Sequence, residues 1–227
     1  MTTIVLAEDH RVVRQGLAAL IGREPDLTVL GETGDGLEAP ALVERLGPDV
    51  LLLDLMLPGL AGLEVIRRVR VRRPATRVVV LSMHGAEAYV LAALRAGATA
   101  YVVKDAPASE LLRAIREAAA GRRYLSPPLS EAAIEAYVER VGAATADPYE
   151  ALTPREREVL SLVAEGFTSR EVGRRLGISP RTVETHRGNL LRKLGLGGPG
   201  DVARFALARG LLPPERTPAP RRSRSRR

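Results

Sequence analysis

The chain has 227 residues and a formal net charge of +7, and its length allows two modest domains. None of its apolar runs is long enough to cross a membrane and no signal peptide precedes the first strand-like run, so we expect a cytoplasmic protein. It contains no cysteine and only 3% aromatic residues, which excludes thiolate metal sites and argues against extended stacking on single-stranded nucleic acid.

Positive charge is concentrated toward the C-terminus. Counting Lys and Arg against Asp and Glu gives a net charge of +1 for residues 1–125 and −4 for residues 126–150. The same count gives +5 for residues 151–214 and +5 for residues 215–227. A polyanionic partner is therefore expected to bind the last third of the chain.

Three short apolar runs in the first half of the chain end in charged residues. Such runs, bounded by turn signals and separated by stretches of helical period, indicate repeated βαβ units around a parallel sheet. Ligands bind such sheets outside the carboxyl ends of the strands, so the charged residues should share one rim. The runs and the residues that follow them are Thr3 to Ala7 with Glu8 and Asp9, Asp49 to Leu53 with Asp54, and Ala100 to Val103 with Lys104.

This rim would bring three carboxylates and one ammonium group together. Two like unit charges 4 Å apart repel by about 4 kcal/mol at a protein-like dielectric, and a divalent cation would relieve that repulsion. Mg2+ favours a few carboxylates, several waters and a phosphoryl oxygen, and Asp54 is then a candidate nucleophile that forms an aspartyl phosphate. Lys104 is one of only two lysines among 34 basic residues, which indicates a primary amine placed against a phosphate or carboxylate.

An acidic segment separates the two halves of the chain. Residues 126–150 begin with Ser126-Pro127-Pro128 and contain Asp147-Pro148 near their end, which is typical of a linker. Within this segment, Glu131 to Val141 has helical character, so the linker is expected to be partly helical.

After the linker, the pattern changes to short amphipathic helices. Thr153 to Glu156 supplies an N-cap, a proline at the first helical position and a capping glutamate. A second helix is expected from Ser169 to Leu176, followed by a turn at Gly177-Ile178 and a third helix from Pro180. Two helices joined by a short turn that contains glycine predict a helix-turn-helix.

The third helix, Pro180 to Leu194, has one apolar and one polar face. A recognition helix places its N-terminal part against base edges in the major groove and its flanks on phosphates. Glu184 could accept a hydrogen bond from cytosine N4 or could be a solvated helix charge, and the sequence leaves both open. The expected base-facing residues are Glu184, Thr185 and Gly188, and the expected backbone contacts are Thr182, Arg187, Arg192 and Lys193.

Together these features resemble the NarL/FixJ family of two-component response regulators. Residues 1–122 resemble its receiver domain and residues 151–212 its LuxR-type helix-turn-helix domain, with residues 123–150 as the linker. The resemblance implies an α/β fold with a doubly wound, flavodoxin-like sheet of five parallel strands, followed by a small all-α domain. It also implies a histidine kinase and double-stranded DNA as partners and Mg2+ as the cofactor.

The resemblance assigns roles to single residues of the receiver. It makes Asp54 the phosphoacceptor. The implied metal ligands are Glu8, Asp9, Asp54 and the backbone carbonyl of Met56, the implied phosphoryl contacts are Ser82 and Lys104, and the implied switch residues are Ser82 and Tyr101. His84, two residues after Ser82, is expected to be an exposed loop residue.

The predicted last helix, Asp201 to Leu212, carries an apolar stripe that includes Val202 and Phe205. In the resembled family this helix pairs two DNA-binding domains, so the resemblance implies a homodimer on DNA. Residues 213–227 are rich in Pro, Ser and Arg and are predicted to be a disordered basic tail.

Two other functions remain open at this point. One is a transcription regulator that binds DNA without phosphorylation because its receiver is degenerate, which the intact site residues disfavour. The other is an enzyme that uses Asp54 for turnover, such as a phosphatase. Met56 stands where such an enzyme would carry a second catalytic Asp, so the sequence favours a phosphoacceptor regulator.

Overall fold

A computed structural model of the chain describes residues 1–127, 148–209 and 211. Residues 1–125 form an α/β domain in which strands and helices alternate. The strands are β1 (Thr2–Ala7), β2 (Leu27–Thr33), β3 (Val50–Asp54), β4 (Arg77–Ser82), β5 (Ala100–Val103) and β6 (Tyr124–Leu125). The helices are α1 (Arg11–Ile21), α2 (Ala39–Leu46), α3 (Gly62–Arg72), α4 (Glu87–Ala96) and α5 (Ala108–Ala119).

The sheet is parallel throughout, with the strand order β2-β1-β3-β4-β5-β6. The order reverses between β1 and β3, which is where ligands bind in doubly wound sheets. The register pairs Ala7 with Leu53 and Ser82 with Val103, and Asp54 is the last residue of β3. The carboxyl ends of β1, β3, β4 and β5 therefore meet at one rim, as the apolar runs predicted.

Both faces of the sheet are buried under helices. On one face, strand residues such as Ile4 and Leu52 pack with α1 and α5, including Ile115 of α5. On the other face, strand residues such as Val5 and Leu53 pack with α2, α3 and α4, including Ile66 of α3. This two-sided burial explains why the strands read as continuous apolar runs rather than as alternating patterns.

The sheet has a sixth strand where the resemblance implied five. Tyr124 and Leu125 pair in parallel with β5, and the Ser126 amide donates to the Tyr101 carbonyl at 3.0 Å. The buried Ser126 hydroxyl also accepts a hydrogen bond from the Val103 amide at 3.1 Å. Because these bonds cover the edge of β5, the α/β domain extends past residue 122 into the segment that the sequence assigned to the linker.

Helices joined by short turns make up the described C-terminal part, residues 148–209. A short 3-10 helix (Pro148–Ala151) precedes α6 (Pro154–Ala164), α7 (Ser169–Leu176), α8 (Pro180–Leu194) and α9 (Pro199–Ala208). Thr153 and Glu156 form the capping box that the sequence predicted at the start of α6. The predicted linker helix at 131–141 and the predicted disordered tail at 213–227 lie outside the described residues.

The last helix differs from its prediction in both bounds and exposure. It ends at Ala208 rather than Leu212, and Val202 and Ala206 are buried. The Phe205 and Tyr149 rings lie 6.5 Å apart, so the apolar stripe packs inside its own domain. This burial leaves less of the stripe for a dimer contact than the sequence suggested. Among the described residues, no helix is long and apolar enough to span a lipid bilayer.

Candidate phosphorylation site and DNA-binding helix

Four side chains at the carboxyl edge of β1 and β3 form an acidic cluster. Ligand atoms of Glu8, Asp9, His10 and Asp54 all lie within 4.8 Å of one another. Glu8 and Asp54 are buried and His10 is exposed, so the cluster opens to solvent on one side. The structure thus brings together the three carboxylates that the strand ends predicted.

Lys104 reaches this cluster from the end of β5. Its Nζ donates to Glu8 Oε2 and to Asp54 Oδ2, both at 2.7 Å. Its backbone amide donates to the Ser82 carbonyl at 2.8 Å, which holds the end of β5 against β4. Burial alone would lower the pKa of the Lys104 ammonium, but the carboxylates of Asp54 and Glu8 outweigh it and raise that pKa. Lys104 is therefore a fixed positive charge beside the candidate phosphoacceptor.

The donor set of the cluster fits a hard divalent cation. It consists of carboxylate oxygens at a partly open rim, which suits Mg2+. His10 Nδ1 lies 2.8 Å from Asp9 Oδ1, yet no donor among the described residues makes a well-aligned hydrogen bond to this buried oxygen. An oxygen in that position is available to a metal ion. The residues that would hold the ion are Glu8, Asp9 and Asp54.

The loop after Asp54 is shaped by its backbone. The Met56 amide donates to Asp54 Oδ1 at 3.0 Å, and this bond fixes the carboxylate beside the loop. A Cβ at Gly62 would lie 2.6 Å from the Leu55 Cα, so only glycine allows α3 to begin so close to the loop. The role of the Met56 carbonyl as a metal ligand stays a prediction.

Ser82, His84 and Tyr101 lie together on the β4 and β5 side of the rim. Ser82 is fully buried, and its Oγ accepts from the His84 amide at 3.2 Å. The Tyr101 hydroxyl donates to the His84 carbonyl at 2.5 Å, and burial raises the pKa of Tyr101 to about 12. The Tyr101 side chain therefore points inward as a neutral phenol.

Two histidines at this rim lie in surroundings that the sequence did not predict. His84 is not a freely exposed loop residue, because its ring is half-buried and stacks on Tyr89 with centroids 4.7 Å apart. His10 belongs to the acidic cluster but was not predicted there. The sequence could have indicated this, because His10 directly follows Glu8 and Asp9 and the chain stays near the rim for a residue or two after a strand ends.

The second domain contains the predicted helix-turn-helix, formed by α7 and α8. Gly177 adopts a left-handed conformation with φ of 65° and ends α7. A Cβ at Gly173 would lie 2.7 Å from the Ile178 carbonyl oxygen, so this glycine lets the turn fold back onto α7. Ser179 caps α8 by accepting from the Thr182 amide at 3.0 Å. The turn thus fixes the direction in which α8 leaves the domain core.

The polar face of α8 is exposed, whereas Val183 and Leu190 anchor it to the core. Glu184 accepts a hydrogen bond from the Ser169 hydroxyl, and Arg187 Nη1 donates to the same hydroxyl at 2.9 Å. Arg187 Nη1 also lies 3.5 Å from Glu184 Oε1. Glu184 is therefore held in a network with Arg187 and the first residue of α7. Of the residues predicted to contact DNA, those that are exposed are Thr182, Glu184, Thr185, Gly188, Arg192 and Lys193.

Lys193 has a structural contact that the sequence did not reveal. Its Nζ donates to Glu156 Oε2 at 2.7 Å and to the Ala151 carbonyl at 3.1 Å, which ties the end of α8 to the start of α6. Arg192, in contrast, donates to the neighbouring Asn189 at 2.9 Å on the exposed surface. A DNA phosphate would have to compete with a carboxylate for Lys193 but not for Arg192.

Comparisons with known proteins agree with this two-domain arrangement. The family model described as the response regulator receiver domain matches residues 4–116, and the one described as bacterial regulatory proteins, luxR family, matches residues 150–206. The oxygen regulatory protein NreC of Staphylococcus aureus is 37% identical over 213 residues, which cover 92% of this chain and 98% of that protein.

Solved structures show the same relationship. A LuxR-family two-component response regulator from Aurantimonas sp. SI85-9A1 is 40% identical with a TM-score of 0.56, over 62% of this chain and 99% of that chain. A structure of two RcsB dimers bound to two parallel DNAs has a TM-score of 0.55 over 92% of this chain and 98% of that one, and its 24% identity supports the fold alone. With a receiver domain, a LuxR-type domain and a full-length relative at 37% identity, the chain belongs to the NarL/FixJ family of two-component response regulators that control transcription.

Proposed function

We propose that a histidine kinase phosphorylates Asp54 and that this modification controls the binding of the C-terminal domain to specific sites on double-stranded DNA. The observation that carries the proposal is the contact of Lys104 Nζ with Asp54 Oδ2 at 2.7 Å, at the rim of an acidic cluster. This contact sets an ammonium group where a phosphoryl group on Asp54 would place its oxygens. Binding to chromosomal DNA also implies that the protein acts in the cytoplasm.

The transfer step needs few protein groups. The Asp54 carboxylate oxygen attacks the phosphorus of a phosphohistidine, the P–O bond forms as the P–N bond breaks, and the imidazole leaves with the electron pair and takes up a proton. When bound, Mg2+ supplies positive charge that stabilises the phosphoryl oxygens as the transfer proceeds. Glu8 and Asp9 would hold the ion beside Asp54, with the Met56 carbonyl as the further protein ligand. The receiver thus catalyses only its own phosphorylation and dephosphorylation.

The Ser82 hydroxyl and the Lys104 amine would form new hydrogen bonds with the phosphoryl group on Asp54. The Ser82 hydroxyl can donate to a phosphoryl oxygen, and Lys104 can exchange its bond to Asp54 for one to the phosphoryl group. Such bonds would draw the β4 to α4 loop toward the site and favour the buried Tyr101 arrangement, because Tyr101 bonds to the His84 carbonyl of that loop. The surface of α4, β5 and α5 would repack in response.

The exposed face of α8 would provide the DNA contact. Glu184, Thr185 and Gly188 would face base edges, with Thr182, Arg187 and Arg192 near phosphates. Lys193 was assigned to a phosphate as well, although in this structure it contacts Glu156. RcsB binds DNA as dimers, and we propose a homodimer through the C-terminal helix for this chain, although Val202 of that helix is buried.

Footprinting on genomic fragments, with and without phosphoramidate and Mg2+, tests the proposed function. We expect protected sites to appear at a lower protein concentration when the phosphodonor is present, because phosphorylation shifts the receiver toward the arrangement that favours DNA binding. Equal protection with and without the donor, on a protein that takes up no phosphoryl group, would instead support the alternative of a phosphorylation-independent regulator with a degenerate receiver. Equal protection on a protein shown to be phosphorylated would mean that phosphorylation does not control DNA binding.

Substitutions in α8 should separate base reading from backbone binding. Arg187→Ala is expected to weaken binding to all DNA sequences alike and to reduce the log–log salt slope by about 0.9, the loss of one phosphate contact. Glu184→Ala is expected to relax discrimination at one base pair by about 1–3 kcal/mol with little change in that slope. Binding constants for a set of single-base operator variants at two salt concentrations measure both effects.

The matched control for these two variants is Arg123→Ala. Arg123 is an exposed arginine of the receiver and should alter neither specificity nor salt slope. Glu184 and Arg187 share the Ser169 hydroxyl, so their effects should not be additive in the double variant. If Glu184→Ala leaves the specificity profile unchanged, Glu184 only orders Arg187 and Ser169 and reads no base.

A further inference from the structure

A cleft of about 470 Å3 lies between helix α3 of the receiver and the start of α6 in the DNA-binding domain. Its volume falls within the range of small-molecule sites in proteins, roughly 300–1,000 Å3. It contains none of the acidic cluster and no residue of α8, so it is separate from both sites described above. The charged residues that line it are Arg67, Arg68, Arg70, Arg72, Arg157 and Glu64.

Positive charge exceeds negative charge in this cleft. Glu64 is the lining carboxylate, and its two oxygens lie between 3.6 and 3.8 Å from the guanidinium groups of Arg67, Arg68 and Arg157. One carboxylate is thus shared among three cations. Two further carboxylates lie outside the lining: Glu158, which pairs with Arg68, and Glu44, which pairs with Arg72 at 2.9 Å. Even with these included, five lining arginines face three glutamates among the described residues.

The pKa of Arg68 reflects this excess. Burial is the largest cause that lowers it, and the charges of Arg72 and Arg155 lower it further, although the Glu64 carboxylate acts in the opposite direction. A guanidinium that touches carboxylates and still has a lowered pKa lies in a desolvated region crowded with other cations. A bound anion would relieve the repulsion among these groups.

The cleft is built asymmetrically, with an exposed charged mouth and a buried back. Arg70 and Arg72 are exposed at the end of α3, whereas the Arg157 side chain is only 11% exposed. Val71, Ala96 and Pro154 add an apolar wall, and Val71 is 83% exposed despite being a large apolar residue. Guanidinium groups at several depths suit an anion with more than one charged group, and the apolar wall suits an uncharged part of the same ligand.

We propose that the cleft between α3 and α6 binds a small molecule that carries two or more phosphate groups. Guanidinium groups form paired, charge-assisted hydrogen bonds with phosphate oxygens, and arginine is preferred over lysine where this geometry matters. Arg70 and Arg72 make the first contacts at the mouth, and Arg157 attracts the anion from the back of the cleft. Because α3 belongs to the receiver and α6 to the DNA-binding domain, the ligand joins the two domains.

Calorimetric titration of the full chain with tripolyphosphate, in the presence of a chelator, tests this site. The chelator prevents binding through a metal at the acidic cluster. We expect one tripolyphosphate per chain, and the double variant Arg70→Gln with Arg72→Gln should weaken its affinity roughly tenfold or more, because it removes two charged contacts. Val71→Glu should also weaken binding, since it adds a negative charge at the mouth while it leaves every arginine in place.

A control variant removes the same charge elsewhere. Arg122→Gln with Arg123→Gln changes exposed residues after α5. It should bind tripolyphosphate as the unmodified chain does. Equal loss in the control and cleft variants would mean unspecific attraction to a basic protein and would overturn the proposal. The proposal also fails if tripolyphosphate does not bind while the cleft variants lose affinity for duplex DNA, which would make the cleft a DNA surface.

Discussion

Replacing Asp54 with asparagine is expected to abolish phosphorylation of this protein. The amide oxygen of asparagine is a poor nucleophile toward phosphorus, so it should not attack the phosphodonor. The substitution also removes one negative charge from the acidic cluster, which weakens metal binding there. Incubation with Mg2+ and phosphoramidate should add one phosphoryl group to the unmodified chain and none to Asp54→Asn, which intact-protein mass spectrometry measures. In Asp54→Asn, the phosphodonor should no longer increase DNA binding, because the chain is not phosphorylated.

The matched control is Asp105→Asn, which makes the same chemical change at an exposed carboxylate next to Lys104. Asp105 follows the strand end but makes no ion pair with Lys104 among the described contacts, whereas Asp54 does so at 2.7 Å. The Asp105 variant should therefore be labelled as the unmodified chain is. Full labelling of Asp54→Asn would show that Asp54 is not the phosphoacceptor, and it would contradict the proposed function of the receiver.

Much of the receiver site could be predicted because strand ends leave a clear mark in the sequence. The runs before Glu8, Asp54 and Lys104 are buried on both faces, so their apolar residues end abruptly where the strand reaches the rim. In a parallel sheet such ends lie on one edge, which turns a linear pattern into a three-dimensional prediction. The helix-turn-helix was predictable for a similar reason, since its caps and its turn glycine act locally.

The features that sequence reasoning missed depend on contacts between distant elements. Lys193 looks like a basic residue on a DNA-facing helix, but its partner Glu156 lies on another helix and comes near only once both have packed. The pairing of Arg157 with Glu64 across the two domains is of the same kind. The sixth strand was missed because a two-residue strand carries no periodicity, and its bonds to β5 depend on where α5 ends.

Lys104→Arg is expected to keep the positive charge at the rim and yet uncouple phosphorylation from DNA binding. The Lys104 ammonium fits between Glu8 and Asp54 at 2.7 Å from each, in a side chain that is only 13% exposed. A planar guanidinium is larger and has donors in a fixed fork, so it fits neither this space nor the same single phosphoryl oxygen. Phosphorylation of Asp54 should survive, whereas the donor-dependent gain in DNA affinity should fall roughly tenfold or more, the loss of one charge-assisted hydrogen bond.

Lys193→Arg provides the control for this substitution, because it changes the other lysine of the chain, which also contacts a carboxylate at 2.7 Å. Its effect on DNA binding should be the same with and without the phosphodonor, since Lys193 lies far from the rim in the chain and contacts α6. Lys104→Met, which removes the charge, should lose the coupling as well. Comparing the two variants separates a requirement for positive charge from a requirement for the shape of the amine. If Lys104→Arg couples normally while Lys104→Met does not, charge alone is required at this position; loss of coupling in both variants means that the shape of the amine transmits the signal.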